Sequence, residues 1–230
     1  MQYTKLGNSR LQVSRICMGC MGFGDAKSGQ HSWTIDEEHS RQIIKRGLEL
    51  GVNFFDTADT YGLGRSESNI GQALRDVRDR VVIASKFGVR VENGRTFYDN
   101  SPAYIDRALA ASLKRLNTDY IDLYQVHYLD GVTPVDEMME ALLRHKRAGR
   151  IGAVGLSNVT PAQAAAFIER AVQELGAPDA LVCSAGVALP QDVLTHVSDE
   201  DWRRVFSVNV DGLFYTVRAA LPYFIHRRKG

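Results

Sequence analysis

The sequence predicts an α/β fold built on a parallel sheet, and three observations support that prediction. Short apolar or β-branched runs alternate with polar loops and with segments of helical spacing along the chain. Successive runs begin roughly 30 to 40 residues apart, which is the size of one βα unit. Several runs are apolar throughout, as expected for parallel strands that are buried on both faces. The predicted strands are residues 15–18, 52–56, 81–85, 121–125, 151–156 and 180–183.

The segments around these strands carry the signals of a hairpin and of helix starts. Residues 3–13 place a Gly-Asn-Ser turn between two short extended runs, which predicts a hairpin ahead of the first strand. Helices are predicted where an N-cap hydroxyl precedes a proline or an acidic residue and an apolar stripe follows, as in residues 43–48 and 105–116. These starts are Thr34 with Glu37, Ser101 with Pro102, Thr133 with Pro134, Thr160 with Pro161, and Ser198 with Asp199.

The composition is that of an ordinary globular chain. Its 230 residues are 44% hydrophobic and 24% charged, which is enough to bury a core. With 28 Lys and Arg against 27 Asp and Glu, the charge predicts neither a nucleic acid nor an anionic membrane as a partner. Three cysteines, an odd number, favour a reducing compartment, and nothing resembles a signal peptide or a membrane span. We therefore expect a cytoplasmic protein.

Cys17 and Cys20 have the spacing of half a zinc site. A tetrahedral zinc site needs four ligands, and the sequence offers no second pair of this kind. Buried cysteine behaves as a small apolar residue, so we interpret both as part of the first strand, with no metal bound.

Four polar residues fall at or just after the ends of three consecutive predicted strands. They are Asp56, Tyr61, Lys86 and His127. The carboxyl ends of parallel strands open on one face, where β/α proteins collect their chemistry. Each residue alone has an ordinary interpretation, as a loop cap, a packing residue, a surface lysine or a buried histidine. Together they supply what the reduction of a carbonyl group needs.

That reaction needs a hydride on carbon and a proton on oxygen. A free tyrosine, with a pKa of about 10, is a poor proton donor at neutral pH unless a cation stabilises its phenolate. Lys86 would be that cation for Tyr61, and Asp56 would keep it charged and oriented. His127 would place the carbonyl oxygen beside the Tyr61 hydroxyl.

These residues lie in motifs that resemble the aldo-keto reductases over about residues 3–160. The motifs are LGNSRLQVSRICMGCMGFG, GVNFFDTADTYG, SESNIGQAL, ASKFG, SLKRLNTDYIDLYQVH and GRIGAVGLSN. The resemblance implies an (β/α)₈ TIM barrel, an NADPH cofactor, a small-molecule carbonyl substrate and the catalytic set Asp56, Tyr61, Lys86 and His127. It also implies that Ser157 and Asn158 hold the carboxamide of the nicotinamide ring.

The resemblance covers only five of the eight barrel units. A complete barrel typically has roughly 250 residues, and the motifs that would grip the cofactor phosphates are not present. Residues 172–224 instead resemble the short-chain dehydrogenases/reductases, through LVCSAGV and FSVNVDG, without that family's glycine-rich phosphate loop or its Tyr/Lys pair.

The sequence therefore predicts a chimera joined between residues 161 and 176. We expect an α/β fold with a parallel sheet, made of partial TIM-barrel-like (β/α) units and an added Rossmann-like βα segment. Residues 1–165 would form the first part and residues 172–230 the second, packed as one domain. The first and sixth strands would be exposed edges, which favour a homo-oligomer.

Two functions remain open at this point. One is an NADPH-dependent reductase of aldehydes or ketones with Tyr61 as proton donor. The other is a non-catalytic chimeric or truncated protein that binds no cofactor, because the phosphate contacts are missing.

Overall fold

A computed structural model describes residues 1–6, 9–25, 27, 32–175 and 197–227. Contacts divide the chain into two compact units, Met1–Gly155 and Leu156–Gly230, which are treated in turn. The predicted strand 180–183 and the LVCSAGV motif lie outside the described residues.

The first unit is built on a parallel sheet. An antiparallel hairpin of β1 (Tyr3–Lys5) and β2 (Gln12–Ser14) comes first, as predicted. A five-stranded sheet follows, with the order β3-β4-β5-β8-β9. Its strands are β3 (Cys17–Gly19), β4 (Phe54–Asp56), β5 (Val82–Phe87), β8 (Ile121–Val126) and β9 (Ile151–Leu156), and an antiparallel hairpin of β6 (Val89–Glu92) and β7 (Arg95–Tyr98) lies between β5 and the next helix. The predicted α/β class and parallel sheet are confirmed.

The sequence placed some strand boundaries wrongly, and it missed the β6–β7 hairpin. The second strand begins at Phe54 rather than at residue 52, because the amide of Val52 bonds the carbonyl of Gly47 and closes the preceding helix. The side chain of Asn53 is used as well, since it accepts from the amide of Ser14 and donates to the carbonyl of Gln12. Val52 and Asn53 therefore bond the preceding helix and β2, and the strand begins only after them.

Each of the four helices of the first unit lies in the chain between two successive strands of the five-stranded sheet. They are α1 (Glu37–Glu49), α2 (Arg65–Leu74), α3 (Pro102–Leu116) and α4 (Val135–Arg147). Ser101 caps α3 as predicted, accepting from the amide of Tyr104. The predicted cap Thr34 is wrong, because the carboxylate of Asp36 accepts from the amide of His39 and fills that position. Thr133 does not cap α4 either, since its hydroxyl donates to Asp130.

The core lies between these helices and the sheet. Apolar side chains at helical spacing on the helices bury against alternating residues of the strands. On α1 the buried residue is Ile44, whereas Ile43, predicted to share that face, is 46% exposed. Gly71 lets α2 and α3 approach closely, because a Cβ there would lie 2.6 Å from main-chain atoms of Arg115 and Leu116. Fully buried members include Ile70, Leu74, Ile83, Ile105, Leu109, Leu116, Phe55, Phe87 and Met138.

The described part of the second unit is helical. Helix α5 (Pro161–Leu175) begins with a reciprocal cap, in which Thr160 and Gln163 each bond the other's main-chain amide through their side chains. Helix α6 (Asp199–Phe206) is capped by Ser198, as predicted. A π-helical turn, Ser207–Asp211, continues it without a break into α7 (Gly212–Arg227), so residues 199–227 are helical throughout.

Large apolar side chains of these helices are exposed. Trp202 and Phe214 are 50% and 57% exposed. Phe206, Val210, Leu213 and Val217 are exposed as well. Within the described ranges, no helix is long and apolar enough to cross a membrane.

Candidate active site

The four residues predicted from strand ends lie together in the first unit. Asp56 is the last residue of β4, Lys86 is the penultimate residue of β5, and His127 directly follows β8. Because β4, β5 and β8 are parallel neighbours, their carboxyl ends lie on one edge of the sheet. Tyr61 reaches this edge from the turn that follows β4.

That turn has an unusual backbone. Gly62, Leu63 and Gly64 all have positive φ angles, of 57°, 56° and 89°. Glycine adopts this region without steric cost, whereas Leu63 does so at an expense that its neighbours must offset. Three left-handed residues in a row reverse the chain directly after Tyr61, so α2 begins at once with Arg65.

Lys86 is the centre of the cluster. Its side chain is 4% exposed, and its Nζ donates to Asp56 Oδ2 at 2.7 Å and to the main-chain oxygen of Thr57 at 2.8 Å. The third neighbour is the hydroxyl of Tyr61, at 3.4 Å from Nζ. An ammonium group has three protons, and these three oxygens match them. The buried charge is thereby fixed between a carboxylate and a phenol.

His127 completes the cluster from the other side of Tyr61. The two rings meet edge to face, with centroids 5.8 Å apart. The amide of His127 donates to the carbonyl of Phe87 at 2.7 Å, which ties the start of this loop to β5. Burial, aided by the charge of Lys86, lowers the pKa of His127 from 6.5 to about 4. The imidazole is therefore neutral at neutral pH and can donate one hydrogen bond without adding a charge.

Sequence reasoning missed a fifth polar residue at this edge, Gln125. It is 3% exposed, and its Nε2 donates to Asp56 Oδ1 at 3.4 Å. A signal was present in the sequence, because residues two apart on a strand share a face and Gln125 lies two before His127.

Sequence reasoning also missed a second cluster, which lies on the face of β5 opposite Lys86, around the carboxylate of Glu67. Its two oxygens accept from Ser85 Oγ at 2.6 Å and from Arg115 Nε at 2.7 Å, and the residue is fully buried. Burial, followed by the negative charge of Glu67, raises the pKa of Asp59 well above its usual range. This cluster ties α2, β5 and α3 together.

Ser157 and Asn158 directly follow β9 and belong to the second unit. Ser157 is buried, and the side-chain amide of Asn158 donates to its hydroxyl at 3.2 Å. Asn158 has a φ of 52°, a left-handed conformation that asparagine tolerates. A hydroxyl and an amide are a donor and acceptor set that suits a carboxamide ligand. The role of both residues in holding a cofactor stays a prediction.

Cys17 and Cys20 are free thiols. Desolvation by the surrounding protein, with the negative charge of Asp56 as the next cause, raises the pKa of Cys17 to about 12, although the residue is exposed at the surface. Throughout the described part of the chain, no cluster of three or more metal-binding side chains is found.

Two family patterns match the chain. The pattern described as "Aldo/keto reductase family" matches residues 15–182. A second, described as "Enoyl-(Acyl carrier protein) reductase", matches residues 135–230 and overlaps the first.

Individual proteins agree with the first match. The Aldo-keto reductase YhdN of Bacillus subtilis is 37% identical over 177 residues, which cover 76% of this chain and 52% of that protein. The Aldo-keto reductase yakc [NADP(+)] of Schizosaccharomyces pombe is 40% identical over 157 residues, covering 66% and 44%. This chain thus spans about half the length of the curated relatives it matches.

Solved structures also agree. The aldo-keto reductase AKR11C1 from Bacillus halodurans, in its holo form, superposes with a TM-score of 0.66 at 40% identity, covering 74% of this chain and 54% of that one. The glycerol dehydrogenase AKR11B4 from Gluconobacter oxydans superposes with a TM-score of 0.63 at 32% identity, covering 73% and 51%.

Proposed function

This chain belongs to the aldo/keto reductase family, and we propose that it is an NADPH-dependent oxidoreductase that reduces a small aldehyde or ketone to an alcohol. One observation carries the proposal. The buried ammonium of Lys86 lies between the carboxylate of Asp56 and the hydroxyl of Tyr61. This is the arrangement that a phenol needs in order to give up a proton near neutral pH.

Tyr61 is the proposed proton donor. NADPH, when bound, supplies the hydride that reduces the carbonyl carbon. The Tyr61 hydroxyl gives its proton to the carbonyl oxygen, and the phenolate that remains is stabilised by the Lys86 ammonium 3.4 Å away. Asp56, 2.7 Å from Lys86 Nζ, holds that ammonium charged and in place, and a proton from water restores the phenol afterwards.

His127 would orient the substrate rather than carry a charge. With a pKa lowered to about 4, it keeps one imidazole N–H across the neutral range and can donate it to the carbonyl oxygen. A neutral donor next to Tyr61 fixes where that oxygen lies without competing for the proton.

The proposed cofactor contacts are Ser157 and Asn158, whose hydroxyl and amide would bind the carboxamide of the nicotinamide ring. NADPH is proposed over NADH because the Schizosaccharomyces pombe relative carries NADP(+) in its name. The preference is testable, since the two cofactors differ by one phosphate.

Binding and turnover test the proposal together. NADPH is titrated by calorimetry, and consumption of NADPH is then followed with a generic aldehyde. We expect Tyr61→Phe to retain binding and to lose turnover by about a thousandfold or more, because it lacks only the hydroxyl. Tyr120→Phe is the matched control, since Tyr120 precedes β8 at the opposite end of the sheet.

Two outcomes would reject this function. The absence of NADPH binding up to millimolar concentrations would favour the alternative of a non-catalytic chimeric or truncated protein. Undiminished turnover in Tyr61→Phe would remove Tyr61 from the mechanism.

The chimeric origin is a separate proposal. Its support is that the second family pattern continues to residue 230, beyond residue 182, where the aldo/keto reductase pattern ends. Expression of residues 1–160 alone tests it. If the later residues are a foreign addition, the isolated fragment should still unfold cooperatively. If they are an integral part of the domain, the fragment should lose cooperative unfolding.

A further inference from the structure

Gln125 is a buried primary amide beside the residues that the proposed reaction uses. It lies on β8 with 3% of its surface exposed, opposite Lys86 in the register of β5 and β8. A buried amide is costly unless its polar atoms find partners. Its Nε2 finds one in Asp56 Oδ1, at 3.4 Å. Because a carboxylate oxygen only accepts, it is the NH₂ end of the amide that must face Asp56.

The Asp56 carboxylate is consequently held at both oxygens. Lys86 donates to Oδ2 and Gln125 donates to Oδ1. A carboxylate held at one oxygen can rotate about its Cβ–Cγ bond, which is a soft torsion. With the second oxygen also held, the position of the Lys86 ammonium relative to the Tyr61 hydroxyl becomes fixed.

The neighbouring strand leaves space for this side chain. A Cβ at Gly155 on β9 would lie 2.9 Å from Gln125 Cγ and 3.4 Å from its Oε1. Gly155 is not among the residues with positive φ, so its backbone conformation does not require glycine. Space is the physical reason for glycine here, and Gln125 needs it more than Leu123, whose Cδ1 would lie 3.4 Å from that Cβ.

We propose that Gln125 is a positioning residue, which acts through Asp56 on Lys86 and so on proton transfer from Tyr61. The catalytic part of this inference rests on the proposed function. The contact itself does not, because it is a property of the protein without substrate or cofactor.

The contact is tested first, by NMR of glutamine side-chain amides labelled with ¹⁵N. The Gln125 pair is assigned by its disappearance in Gln125→Met. We expect this pair to exchange slowly with solvent and to shift in Asp56→Asn, which removes the carboxylate. An unshifted pair in Asp56→Asn would overturn the inference, whether or not the protein turns over aldehydes.

Kinetics test the consequence. Gln125→Met has a side chain of similar length and removes the amide, with both its donor and its acceptor, while packing is retained. We expect kcat to fall about tenfold with little change in KM, and the pH dependence of kcat to move upward, because Lys86 is less firmly held against Tyr61. Leu123→Met, on the same face of β8, is the matched control.

Unchanged kcat and pH profile in Gln125→Met would show that Gln125 only fills space. If Gln125→Met does not fold, Gln125→Asn repeats the test, since it keeps the amide but is one methylene too short to reach Asp56. Gly155→Ala should reproduce the kinetic change, because its Cβ displaces Gln125 Cγ. If the wild-type protein has no turnover, the proposed function fails, and the NMR experiment still decides the contact.

Discussion

Two adjacent residues of β5, Ser85 and Lys86, belong to two different buried ion-pair clusters. Side chains alternate along a strand, so Lys86 meets Asp56 on one face while Ser85 meets Glu67 on the other. Asp56 keeps 26% of its side chain exposed, whereas Glu67 has none. The difference teaches that a buried charge pair indicates chemistry only where a substrate can reach it. The Lys86 cluster is proposed to react, and the Glu67 cluster holds elements together.

The largest expected effect comes from removing the charge of Lys86, on the face of β5 that a substrate can reach. Lys86→Met should reduce turnover at least about a thousandfold, because it removes the cation that donates to the Tyr61 hydroxyl. Measured kcat, with secondary structure checked by circular dichroism, decides this. Lys114→Met, at an exposed position on α3, is the control and should behave as wild type. Substantial turnover in Lys86→Met would mean that the accessible cluster is also structural.

An intermediate effect is expected from the face of β5 that carries the Glu67 cluster. Glu67→Gln leaves Arg115 without its anionic partner, and breaking a buried pair of this kind costs about 3 kcal/mol of the free energy of unfolding. Denaturant titration measures the loss. The turnover of the folded fraction should stay within about threefold of wild type. A much larger loss of turnover at unchanged stability would place Glu67 in the reaction, and the Glu67 cluster would then not be purely structural.

The smallest effect concerns pH. Burial lowers the pKa of His127 to about 4 in the folded protein, against 6.5 unfolded, so the unfolded chain binds the proton more readily. Stability from this residue is full above pH 6.5 and is lost as pH falls toward 4, by roughly 2 kcal/mol at pH 5. Unfolding measured at pH 7 and pH 5 should therefore show a larger drop in wild type than in His127→Gln. Equal drops would mean that His127 is not buried as a neutral group.

Most of the first unit could be predicted from the sequence, since apolar runs specify strands and caps specify helix starts. Five parallel strands and the cap at Ser101 agree with the structure, and so does the cap at Ser198 in the second unit. The cap at Thr34 was wrong because a closer carboxylate, Asp36, competes for the same amides. The β6–β7 hairpin was missed although a local signal was present, because Val89–Glu92 alternates apolar and polar residues and Asn93-Gly94 is a typical hairpin turn.

The sequence by itself determined which residues stand at strand ends, because strand periodicity and loop position are local properties. That was sufficient to find Asp56, Tyr61, Lys86 and His127. Only the tertiary structure decided which atoms meet. The register between β5 and β8, and the approach of α2 to α3, depend on packing between segments distant in the chain. The strand period places Gln125 on the same face as His127, but its contact with Asp56, like that of Glu67 with Arg115, is a product of that packing.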